Sequence, residues 1–208
     1  MRSLFESDTH KNIMFGDMSV GSMVQANQHI ISDNGQWIIL DPGGHKIYTS
    51  LMAELASLLP INGMKYIFFS HQDPDIVAAT NGWLMVTEAD AYLSELWMRF
   101  ITHFGVDELV VDRIKPIPDN GTILSLGNTS LKVIPAHFLH SSGNFQVYDP
   151  VAKILYSGDL GASLGQDYDE VEDFDAHIQY MEGFHKRYIP ATKALKMWAN
   201  MARKLDID

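Results

Sequence analysis

The sequence predicts an α/β (α+β) sandwich in which two similar β/α halves stack on one another. Three observations carry that expectation. Apolar runs flanked by Gly, Asn and Pro form hairpins in both halves of the chain. Segments of helical periodicity lie between and after them. The run Tyr66-Ile67-Phe68-Phe69 leads straight into a polar loop, as strands do where an α/β sheet presents chemistry to solvent.

The first pair is His29-Ile30-Ile31-Ser32 and Trp37-Ile38-Ile39-Leu40 around Asp33-Asn34-Gly35, where Asn and Gly tolerate the positive φ of a tight turn. Asp41-Pro42-Gly43-Gly44 breaks the second strand. From His45 to Leu59, residues Ile47, Leu51, Leu55 and Leu58 share a helical face, and Pro60 and Gly63 end that helix. The strand ending at Phe69 follows. Trp83-Leu84-Met85-Val86 reads as a short strand. Ala89 to Phe104 reads as a helix with Leu93, Leu96, Trp97 and Phe100 on one side. In the second half, Leu124–Leu126 and Leu131–Ile134 flank Gly127-Asn128, and Asn144–Tyr148 and Ile154–Tyr156 flank Asp149-Pro150. Two helical segments separated by Pro190 close the sequence. No linker, low-complexity tract or short repeat divides it, so a single domain over residues 1–208 is expected.

Composition narrows the chemistry. A net charge of −11 without a Lys or Arg run argues against nucleic acid and acidic membranes as partners. No stretch approaches a membrane span and the N-terminus lacks a signal-peptide core, so a soluble cytoplasmic protein is expected. The absence of cysteine excludes disulfides, thiolate catalysis, iron–sulfur clusters and Cys-bound zinc. Any metal must rest on His, Asp and Glu.

Such residues gather in Ser70-His71-Gln72-Asp73-Pro74-Asp75, where three potential metal ligands alternate over five positions. Two carboxylates and an imidazole in one tight loop repel or stay hydrated unless a cation holds them. Two further places follow apolar strands: Pro135-Ala136-His137-Phe138-Leu139-His140-Ser141-Ser142-Gly143, and Leu155-Tyr156-Ser157-Gly158-Asp159. Gly158 removes side-chain bulk where a metal centre would need close backbone approach. A plainer account of the first loop is a solvated turn, with Asp capping a helix that has Pro74 near its start.

With these motifs in their order, the sequence resembles the metallo-β-lactamase superfamily, whose fold is a four-layer αββα sandwich with two metals at one edge. Asp41-Pro42-Gly43 resembles its first strand-end motif and His71-x-Asp73-x-Asp75 its metal loop. His140-Ser141-Ser142-Gly143 through Tyr148-Asp149 matches the stretch holding its third ligand, and Ser157-Gly158-Asp159 the strand with its bridging carboxylate. Zinc hydrolases of that superfamily carry His-x-His-x-Asp-His. Here Asp73 stands at the second position and Ile76 at the last. The carboxylate is similar to the diiron branch, the flavodiiron proteins. Loss of the terminal His is similar to the oxygen-binding diiron proteins, which have the diiron domain without a flavodoxin.

The resemblance implies two Fe ions, with Zn or Mn as the alternative. His71, Asp73 and His140 would hold one, Asp75 the other, and Asp159 would bridge them. It implies dioxygen or another small gas as ligand at a position left open by Ile76, hence an oxygen sensor or carrier. The alternative is a dioxygen or nitric oxide reductase fed by a separate redox protein. Further alternatives are a zinc-dependent hydrolase of the same fold, or a degenerate site kept as an interaction module. A separate redox or signalling protein and a head-to-tail homodimer are implied as partners. The family's last ligand, a His in a Pro-x-His-Gly loop, has no counterpart: Leu205-Asp206-Ile207-Asp208 resembles the segment just before it. His137 and His185 do not match that spacing and are expected to be structural. Asp41 is expected to fix its turn rather than bind metal.

Overall fold

Strands that are apolar on both faces need cover on both, and this chain supplies it with two sheets between two helical layers. The computed structural model describes residues 1–16, 18–19, 24 and 26–208. Among these, the larger sheet runs in sequence order through Arg2–Glu6 (β1), His10–Phe15 (β2), Gln28–Asp33 (β3), Gln36–Leu40 (β4), Met64–Phe68 (β5), Asp90–Ser94 (β6) and Ile114–Ile117 (β7). Pairing is antiparallel from β1 to β4 and parallel from β4 to β7. The smaller sheet is an antiparallel meander of Thr122–Leu126 (β8), Thr129–Pro135 (β9), Phe145–Asp149 (β10) and Ile154–Tyr156 (β11). The helices are His45–Leu58 (α1), Pro74–Val77 (α2), Thr80–Val86 (α3), Met98–Ile101 (α4), Phe174–Tyr188 (α5) and Thr192–Ala202 (α6). No helix among the described residues is long and apolar enough to cross a membrane.

Successive residues of one strand serve different layers. Trp37 and Ile39 of β4 pack with Leu51 and Leu55 of α1 and Trp83 and Leu84 of α3. Ile38 and Leu40 point the other way, into the space between the sheets, with Leu131, Phe145 and Val147. Ile67 and Phe68 of β5 divide likewise. On the far side, Ala194 and Trp198 of α6 pack against Ala136, Leu139, Leu160 and Ile189. Trp198 Nε1 donates to Gln146 Oε1 on β10 at 2.7 Å. The result is the αββα order the resemblance implies. Its halves are unequal, however, with seven strands against four among the described residues.

Two expected elements are corrected. Trp83–Val86 is the end of helix α3, not a strand: Trp83 and Leu84 are buried while Met85 and Val86 are exposed. Four apolar residues in a row carry no period that separates the two. A distant residue closes this helix. Arg113 Nη1 donates to the carbonyls of Thr87 (2.6 Å) and Ala89 (3.2 Å), and Nη2 donates to that of Leu84. Arg113→Ala is expected to cost about 1–3 kcal/mol by leaving those carbonyls unpaired. A lower denaturant midpoint at unchanged slope would register it, and an unchanged midpoint would contradict it. Ala89–Phe104, expected as one helix, begins as strand β6 and continues as short turns around α4. Leu93 is buried but Leu96 and Phe100 are exposed, so no continuous helical face exists there.

Strands β1, β2 and β7 were absent from the sequence expectation. The reason in β2 is physical: it buries His10 and Asn12 where a strand pattern calls for apolar residues. His10 Nδ1 lies 3.0 Å from Asp33 Oδ1 and Nε2 lies 2.7 Å from Asp149 Oδ2. Asn12 Nδ2 donates to Asp149 Oδ2 (2.8 Å) and to the Tyr156 hydroxyl oxygen (2.7 Å). This network ties β2 and β3 of one sheet to β10 and β11 of the other. Both ring nitrogens can donate only as imidazolium. Burial opposes that charge, but bonds to Asp149 and Asp33 outweigh it and raise the His10 pKa. Burial likewise opposes ionisation of Asp149 and Asp33, yet their hydrogen bonds keep both pKa values below the usual range.

The pH dependence follows from those signs. The His10 contribution is complete below its unfolded pKa and is lost as pH rises through the raised folded one. The carboxylate contribution is present above their unfolded pKa and is lost as pH falls through the depressed ones. The network therefore stabilises most between about pH 4 and 6.5. His10→Gln is expected to flatten both limbs of a pH–stability profile. A variant profile parallel to that of the unaltered protein would contradict this.

Candidate metal centre

The loop after β5 turns into α2, with Pro74 in its first turn and Asp73 at the N-cap. Asp73 has the backbone of a cap (φ −64°, ψ 146°), yet its side chain makes no capping hydrogen bond. Its Oδ2 instead lies 3.0 Å from His140 Nε2 and 3.6 Å from His71 Nε2. A cap bond of about 1 kcal/mol is given up for this arrangement, so the plainer account of the loop as a capped turn does not hold.

His71 is 1% exposed. Its Nδ1 lies 2.8 Å from Ser70 Oγ, which leaves Nε2 facing Asp73 Oδ2 and, at 3.9 Å, Asp159 Oδ2. Ser70 is itself fixed from two sides. Its N–H donates to Asp41 Oδ1 (2.7 Å), and its carbonyl accepts from Phe145 N–H (2.9 Å) at the start of β10. Asp41 therefore fixes the turn, in a left-handed conformation at φ 51°.

His140 lies between β9 and β10 at φ 82°, two residues after Phe138 at φ 64°. Positive φ at such residues costs roughly 1–3 kcal/mol each and persists only where surroundings enforce it. Here Phe138 N–H donates to the Ser141 carbonyl (2.7 Å), and Asn144 Nδ2 donates to the Leu139 carbonyl (2.9 Å). Gly143 has no room for a side chain, since a Cβ there would stand 2.6 Å from Ser94 Oγ and 2.7 Å from Trp97 Nε1. The His140 ring stacks on Phe184 of α5, and its Nε2 lies 3.6 Å from Asp159 Oδ2.

Asp159 follows β11 through Gly158, whose φ of +56° suits glycine. His185 of α5 holds this loop. Its Nε2 accepts from Gly161 N–H (3.0 Å) and its Nδ1 donates to the Met181 carbonyl (2.8 Å). Both ring nitrogens are thus engaged. His137 Nε2 lies 2.8 Å from the Asp119 carbonyl oxygen. Neither histidine joins the cluster.

His71, Asp73 and His140 form a group whose donor atoms lie within 4.8 Å of one another. Asp159 closes on both imidazoles. Asp75 sits in the first turn of α2, half-buried, with Gly44 against its backbone. Burial, then the charges of Asp73 and Asp159, raise its pKa. Hydrogen bonds from His140 and His71 hold Asp73 far below the usual carboxylate range. Burial opposes charge on His71, but Asp73, Asp159 and Asp41 raise its pKa. Burial pushes Asp41 up to about 6. Ile76 is 3% exposed and belongs to the core beneath α1 and α3.

This donor set fits metal. Carboxylates outnumber imidazoles, so the cluster lacks positive charge. Oxygen and nitrogen donors without thiolate suit a hard or borderline cation. Their separations of 3.0, 3.6 and 3.9 Å approach the roughly 3.0–3.5 Å expected of donors sharing one first-row ion. Two participants escaped the sequence. Ser70 orients His71. Gln72 Nε2 donates to Asp73 Oδ1 (3.0 Å), while its Oε1 accepts from Ser141 Oγ (2.6 Å) beside His140. Polar residues in a polar loop give no local sign of such roles.

A family model described as ODP family beta lactamase matches residues 24–208. Among solved structures, the peroxy diiron species of a chemotaxis sensor ODP is 39% identical, with a TM-score of 0.88 over 99% of this chain and 83% of that one. The apo state of the chemotaxis sensor ODP from T. denticola is 37% identical, with a TM-score of 0.87 over the same shares. The flavodiiron protein from Giardia intestinalis, at 15% identity and a TM-score of 0.78, shares the fold over 100% of this chain and 53% of its own. No curated protein matches the chain.

Proposed function

Because this chain belongs to the ODP family of β-lactamase-fold proteins, we propose that it is a non-haem diiron protein that binds dioxygen and acts as an oxygen sensor. The observation that carries this reading is the Asp73 carboxylate, which leaves its helix cap to meet His140 and His71 beside Asp159. His71, Asp73 and His140 would hold one iron and Asp75 the other, with Asp159 as the carboxylate available to both. An iron pair supplies the electrons that binding of dioxygen draws on.

The chain's own residues prepare that site. Ser70 sets the His71 ring, His185 sets the Asp159 loop, and Phe184 covers one face of His140. Ile76, a buried apolar residue, stands in the sequence where zinc hydrolases of the superfamily carry an imidazole, which removes a competing ligand and suits a small neutral ligand over an anion. The sensor reading also rests on the two ODP structures, each of a chemotaxis sensor. It calls for a separate signalling partner, and a cytoplasmic, single-domain protein accords with it.

The test is an optical spectrum of iron-loaded, reduced protein before and after air. A new visible charge-transfer band supports the reading. An unchanged spectrum with iron verified, or purified protein loaded with zinc alone, overturns it.

A further inference from the structure

We propose that an apolar cleft beside the ligand loop is the route by which dioxygen reaches the metal centre, with Gln72 as its inner wall. The proposal rests on the dioxygen reading above. The cleft has a volume of about 360 Å³ and is lined by the apolar residues Val77, Leu93, Trp97, Phe100, Ile101 and Phe104, with two polar ones, Gln72 and the exposed His103. Phe100 is 40% exposed, while Val77 and Leu93 are 0% and 1% exposed, so the cleft descends from the surface into the core layer. Its inner end meets the metal loop itself. Val77 lies two residues past Asp75, and Gln72 lies between His71 and Asp73.

The lining selects the traveller. A charged or strongly polar molecule would lose its hydration to phenyl, indole and aliphatic surface. Of the two polar residues, His103 is exposed to solvent rather than deep in the cleft, and the Gln72 amide offers little in return, because one end is bonded to Asp73 and the other to Ser141. A small apolar gas loses nothing on entering, and enclosed apolar cavities are known to take up xenon. At Gln72 such a gas is one side chain from the Asp73 carboxylate and the loop carrying His140. The amide therefore separates an apolar approach from a polar centre, with contacts to both.

Two measurements test the route. Val77→Phe and Leu93→Phe would fill its floor without touching a ligand. A barrier on a path slows entry and exit alike and leaves equilibrium affinity unchanged. Stopped-flow mixing of reduced, iron-verified variants with dioxygen should give association about tenfold slower, at the low end of the spread seen among variants of one binding partner. Dissociation should slow in step. Unchanged rates in both variants would overturn the route. So would a shift in oligomeric mass without a rate change, which would make the cleft a contact for a second copy. If neither variant folds, diffraction from xenon-pressurised crystals of the unaltered protein decides. Xenon between Val77 and Phe100 supports the route, and a cleft empty of xenon overturns it. The underlying reading fails separately, if the unaltered protein binds no dioxygen at all.

Discussion

Replacing Asp159 by alanine is expected to empty both metal positions rather than one. Its Oδ2 lies 3.6 Å from His140 Nε2 and 3.9 Å from His71 Nε2, and its charge reaches Asp41 and Asp75. Without it, the Asp75 position keeps one carboxylate, and the His71–Asp73–His140 position loses its shared anion. Loss of a partner that only orients a ligand costs metal affinity by roughly 10–100-fold, and loss of a bridging ligand should exceed that. Ser70→Ala, which removes the hydroxyl at His71 Nδ1 and beside Asp41 but no ligand, belongs in the milder class. Metal analysis with iron spectroscopy separates the cases. Full occupancy in Asp159→Ala would rule out a bridging role.

Chelation should produce the second large effect, a fall in melting temperature. A ligand at 100 times its dissociation constant stabilises a fold by about 2.7 kcal/mol, which for a chain of this size corresponds to about 5–11 °C. The metal-free centre keeps Asp41, Asp73, Asp75 and Asp159 together, around His71. The raised His71 pKa means that its share of stability is present at low pH and is lost as pH rises through the folded value. The gap between loaded and chelated protein should therefore widen from about pH 6 to pH 8. Equal melting after verified metal removal would show that the site contributes nothing to the fold.

The sequence revealed most where pattern and layer agree. Trp37–Leu40 and Tyr66–Phe69 are uninterrupted because each strand feeds two cores, and turn residues marked every hairpin that was found. It failed where a distant partner decides. Arg113 closes α3 from beyond β6, and β2 hides behind the inward-facing His10 and Asn12. The positions of His71, Asp73, His140 and Asp159 were legible as motifs at strand ends. The device that aims them was not, since Ser70, Gln72 and His185 act through side-chain hydrogen bonds that leave no periodic trace. The sequence suggests Ile76 as an opening at the metal, whereas the structure places its side chain in the core.

Anomalous diffraction at the iron edge from crystals of iron-loaded protein tests the centre most directly. The expected map holds two peaks, one among His71, Asp73 and His140 and one at Asp75, with Asp159 between them. A lone peak away from these side chains, or none in protein whose iron content is verified, would contradict it.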